Sequence, residues 1–240
     1  MTKKEKEKER SKEKERSKEK GQKNQLIIDR INNHLKTNII YYACYTICVY
    51  IISYYTNTSL IWCMLTAIIT ANASYFFHML LHKVNYKKLY KKINKCNNIY
   101  TENGIMNTIL KYLCEMFDFH DKIHHDSNVN KTNKNKIVEF ILNNVVISLI
   151  LIILKYILEN CSYYILLYWG LIYSSIHIIN YDIVKEPTHA MHHIDKYTNL
   201  GPYICDIMYG TTYDDTDENV NYCAINHIIT TSLFYLTFFR

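Results

Sequence analysis

The sequence predicts an all-α integral membrane protein: about four transmembrane helices in two hairpins, beneath a cytosolic, histidine-rich helical cap. Three observations predict it. Segments 39–55, 59–81, 137–158 and 162–184 are apolar over close to the ~20 residues a helix needs to cross a bilayer. The turns that pair them, 56–58 and 159–161, are short and carry no Lys or Arg. Nearly every cationic residue then falls on the other side, which the positive-inside rule assigns to the cytosol.

Each element follows from its composition. Residues 1–24 are almost wholly charged and repeat the unit KERSKE, so they cannot bury a core. They form a solvated tail, disordered or as a single helix, with attraction to an anionic membrane surface as the second reading. Nothing else favours a nucleic-acid partner. The first 30 residues lack the apolar core of a signal peptide. Residues 25–240 form the membrane-embedded domain. Four apolar runs in a chain of 240 residues leave too little polar surface to cover them in water. Lys155 lies near a helix end, where it can snorkel. The stretch 224–239 is shorter, suited to lying at the interface or entering partway. The 8 cysteines are scattered with no C-x-x-C pair, as expected of reduced thiols facing the cytosol. Asn and Lys runs are a compositional habit of this chain and carry little functional weight.

The 11 histidines are not spread evenly. FFHMLLHK supplies His78 and His82, FDFHDKIHHD supplies His120, His124 and His125, and THAMHHID supplies His189, His192 and His193. His177 stands alone in SSIHIINYD, and His34 and His227 are left over. Spacings of three and four place imidazoles on one helical face. The threading brings all three clusters and His177 to the same side of the bilayer. Neutral imidazole binds Zn, Fe, Cu and Ni, and eight or nine histidines suit two ions better than one. Spacing alone leaves a transporter or a dinuclear hydrolase open, although the proposed spans lack paired acids for a conduction route.

The pattern resembles the membrane fatty acid hydroxylase/sterol desaturase superfamily over roughly residues 60–215. YFFHMLLHK is similar to the family's first histidine box, and HAMHHIDKYTNLGPYICDIMYGT to its last, with Asn199, Gly201, Asp206, Gly210 and Thr211 in matching places. His177 resembles the histidine that precedes that last box. The middle box, HDKIHH, is one residue longer than the family's usual form. A rival alignment sets Asn94, Asn97 and Asn98 in the three histidine positions. The HDKIHH alignment keeps Lys122, the histidine pair and an acid, and makes 83–119 an Asn/Lys-rich insertion.

The resemblance implies a non-haem di-iron centre held by His78, His82, His120, His124, His125, His177, His189, His192 and His193. It implies O2 as co-substrate and a membrane lipid (fatty acyl, sterol or sphingoid) that is hydroxylated or desaturated. Electrons would come from an external cytochrome b5-type donor and an NAD(P)H reductase, since the chain has no His-Pro-Gly-Gly haem signature. Family habit places such an enzyme in the endoplasmic reticulum. Asp121, Asp126 and Asp195 are candidates to orient ring N–H groups. Asn199, Gly201 and the Gly210-Thr211 pair are expected to shape the turn beneath the site. The acidic run 214–218 reads as a solvated loop or a dock for a basic partner. The alternatives are an ether-lipid desaturase and an inactive membrane scaffold whose middle box has decayed.

Overall fold

A computed structural model describes residues 3–96, 104–119, 125, 132–184, 187–214 and 218–240. It is all-helical, with no strand among the described residues. The charged N-terminal segment takes the single-helix form, as part of α1 (Lys3–Thr37). The chain then bends by 78° into α2 (Ile39–Tyr55). Asn38 holds the bend. It is fully buried; its amide donates to the Glu218 carbonyl (2.9 Å) and its Oδ1 accepts from the Val220 N–H (2.7 Å).

α2 and α3 (Leu60–Lys83) form the first hairpin. Hydroxyls rather than cations close its turn: Ser53 Oγ donates to the Thr58 carbonyl, Thr56 Oγ1 to that of Ile52, and Asn57 adopts φ 50°. The second hairpin joins α6 (Asn133–Ile157) to α7 (Tyr163–Ser175). The two helices approach closely at Gly170, where a Cβ would stand 2.9 Å from Ser148 Oγ. Val49, Ile52, Ala67, Ile165 and Ile172 make the core between the hairpins. Across it, Trp169 Nε1 donates to Ser74 Oγ (2.7 Å) and the Ser162 N–H to Thr66 Oγ1 (3.0 Å). α10 (Ala224–Phe238) packs on α2 and α7.

By length and composition, α3 alone among the described helices could cross a bilayer by itself, and α1 with α2 passes only as one bent pair. The 162–184 run is not one uniform α-helix. Ser174 and Ser175 donate their hydroxyls back to the Gly170 and Ile172 carbonyls, and beyond them Ile176–Val184 is π-helical. α4 (Tyr86–Cys96) and α5 (Ile105–Phe119), within the segment read as an insertion, pack on each other and on Leu81 at the end of α3. Two short helices, α8 (Pro187–Ile194) and α9 (Tyr203–Tyr209), complete the histidine-bearing side.

Candidate metal centre

Four separate elements deliver imidazoles to one place. α3 contributes His78 and His82 from its last two turns, the π-helical stretch His177, α8 its three histidines, and the connection before α6 contributes His125. In α8 the spacing of three and four sets His189, His192 and His193 around adjoining faces of two helical turns. Ring centroids lie 5.1 Å apart for His78–His82, 4.8 Å for His78–His192, 4.6 Å for His82–His125 and 4.8 Å for His125–His192. Nitrogens of these four all fall within 4.8 Å of one another. His177 and His189 adjoin the group, 5.3 Å apart, and the Nε2 atoms of His189 and His193 are separated by 3.2 Å. Seven of the nine expected ligands are therefore gathered; His120 and His124 lie outside the described residues, as do Asp121 and Asp126. In the rival alignment Asn94 sits near the end of α4, and Asn97 and Asn98 are likewise outside them.

The arrangement fits an ion. Metal–imidazole bonds of roughly 2.0–2.1 Å put facing nitrogens up to about 4.2 Å apart around one centre, so small side-chain movements would close the four-histidine group. His192 offers the clearest donor. Its Nδ1–H donates to the Thr198 carbonyl (2.7 Å), which fixes the tautomer and leaves the buried Nε2, without a hydrogen-bond partner, facing its neighbours. His78 Nδ1 likewise donates to the Leu200 carbonyl. Burial pushes the His192 imidazole down to about 3, against the pull of the Thr198 carbonyl, with His82 and His193 adding to the fall. Burial also holds His189 and His125 well below the usual histidine range, with neighbouring imidazoles reinforcing it. All three are neutral at pH 7, the form a metal requires.

The loop that supplies those carbonyls is itself built. Asn199 and Gly201 adopt φ 47° and 65°, and Gly210 ends α9 at φ 70°. The buried Asp206 carboxylate accepts from the Leu200 N–H (2.9 Å), the Gly201 N–H (2.7 Å) and the Thr211 hydroxyl (2.7 Å). Thr211 Oγ1 in turn accepts from the Tyr75 hydroxyl (2.9 Å) on α3. Asn199 ties Thr188, beside His189, to Tyr213. Asn199, Gly201, Gly210 and Thr211 thus shape the turn beneath the site.

Two acids depart from expectation. Asp195 orients no ring: it is exposed, and Oδ1 accepts from the Tyr197 N–H at the end of α8. Backbone carbonyls do the orienting instead. Glu218, at the end of the acidic run, is buried and lines a cavity, its backbone carbonyl accepting from the Asn38 amide. Sequence reasoning missed Glu139, a buried carboxylate on α6 whose Oε1 stands 3.8 Å from His177 Nε2. A lone acid at the head of an apolar helix was the signal that could have found it.

Beside His78, His177 and His189 lies a cavity of about 80 Å3, walled mainly by Trp169, Ile172, Tyr173, Ile176 and Tyr203. Set against family models, curated proteins and solved structures, the chain matches none of them.

Proposed function

We propose that this chain is a membrane-embedded, O2-dependent di-iron oxidoreductase that hydroxylates or desaturates a lipid. The observation that carries the reading is the convergence of seven imidazoles from four elements, two of them locked by backbone carbonyls. One ion uses four to six ligands, so this donor set, nitrogen-rich and free of thiolate, suits a pair of irons. Held there, the irons would supply O2 activation and the oxidising power to take hydrogen from an unactivated C–H bond. Electrons would come from a separate cytochrome b5-type carrier and its NAD(P)H reductase.

The protein's own groups do the rest. Thr198 and Leu200 keep the donor nitrogens of His192 and His78 aimed inward. Glu139 stands 3.8 Å from His177 Nε2, where its negative charge would raise the ring's basicity. The mostly apolar cavity is where hydrocarbon would lie against the histidines. Four membrane crossings, with the histidines on the cytosolic side of the endoplasmic reticulum, are part of this reading. Their support is the cation-free turns and the apolar outer face of the bundle, including Ile47, Ile61, Ile68, Ile153 and Leu233.

The test is metal analysis of the detergent-purified chain together with a lipid profile of cells with and without the gene. The expected result is about two irons per chain and a hydroxylated or unsaturated lipid present only with the gene. A chain that takes up no iron, and leaves the lipid profile unchanged, overturns the proposal.

A further inference from the structure

The cavity beside the histidines is bordered elsewhere by a second set of polar groups, which the centre does not use. His34 and Glu218 are buried, at 1% and 6% exposure, and both line it together with Tyr42. His34 packs on Tyr42 and Tyr203, whereas His78, His177 and His189 pack among the candidate ligands.

Proton positions in this set follow from one anchored amide. Asn38 Oδ1 accepts from the Val220 N–H, so its NH2 faces His34 Nδ1 at 3.0 Å. A hydrogen on Nδ1 would point at those amide hydrogens, so Nδ1 is the acceptor and Nε2 carries the proton. Nε2 then donates to the Tyr42 oxygen at 3.1 Å. The hydroxyl hydrogen of Tyr42 is left to donate elsewhere, and Tyr42 faces the cavity. A neutral donor is thus set at the wall of a small, mostly apolar chamber, with a carboxylate close by.

We propose that Tyr42, held by His34 and Asn38, binds the free hydroxyl of a lipid substrate, so that the enzyme acts on hydroxyl-ended lipids rather than phosphate-headed ones. This rests on the oxidase reading above. The lipid oxygen accepts from Tyr42, and its own hydrogen is directed to Glu218. An ionised phosphate would have to give up its water on entering a mostly apolar chamber. Discrimination by a buried donor is steep, because a ligand lacking the matching oxygen leaves the donor unpaired.

The experiment is equilibrium binding of tritiated 1-hexadecanol to the metal-loaded protein in detergent, with iron content measured on the same samples. Unlabelled hexadecanol, and either a sterol or a sphingoid base, should displace the label; hexadecyl phosphate should not. Tyr42→Phe should weaken hexadecanol binding about tenfold with iron content unchanged. Full displacement by hexadecyl phosphate, which needs no variant, overturns the proposal; so does a Tyr42→Phe protein that binds the alcohol like the parent. Iron retained with alcohol binding indifferent to Tyr42 removes this subsite and leaves the oxidase. Alcohol binding dependent on Tyr42 in a chain that takes no iron does the reverse.

Discussion

His192 and His227 are alike in almost every local respect. Both are completely buried, both use Nδ1 in a 2.7 Å hydrogen bond, and both have an Nε2 with no hydrogen-bond partner. They differ in what surrounds that nitrogen. Around His192 stand His78, His82 and His125. Around His227 stand the rings of Tyr41 and Tyr45, with Tyr168 as its bonded partner. A buried imidazole with an unpaired nitrogen is therefore not in itself a candidate metal ligand; convergence of several makes it one. His227 is a core residue of α10 packed among tyrosines, and His192 belongs to a candidate coordination set.

Substitution sharpens this contrast most. His192→Ala removes the donor nearest three others, and should abolish iron retention and product formation while the chain still enters the membrane. Metal analysis and lipid profiling read both, and a variant with full activity refutes the ligand assignment. Acid should come next in size. The folded-state value of His192 lies near 3 against an ordinary 6.5, so the unfolded chain takes up the proton first. For the metal-free protein, that contribution to stability is fully present above pH 6.5 and is lost as pH falls toward 3. Thermal unfolding across that range should show a falling midpoint, and a flat profile would contradict the burial of this ring.

Asp206→Asn acts one step back from the ligands. The amide oxygen cannot serve three donors, so the 198–201 loop loosens and iron affinity should drop about tenfold. Unchanged affinity in a metal-competition titration would show that the loop needs no such brace. The smallest effect belongs to His227→Phe. It should cost about 1–3 kcal/mol of stability through the lost Tyr168 bond and leave iron content as in the parent. Iron loss in that variant would erase the distinction between the two histidines.

The histidine clusters were legible in the sequence because helical spacing is a one-dimensional property. The turn residues Asn199, Gly201 and Gly210 were legible too, since positive φ selects those residue types. What sequence could not show depends on partners distant along the chain. His34 packs on Tyr203 of α9, and Glu218 is drawn in through a backbone bond 180 residues away. The π-helical stretch bearing His177 escaped because apolar composition does not encode the helical pitch.

The bond between His78 and Leu200 spans 122 residues. A ribosome has therefore long released the third helix before the carbonyl that steadies its histidine exists. On the proposed di-iron reading, iron loading would wait until most of the polypeptide has been made, which would make metallation a late quality check on the finished molecule.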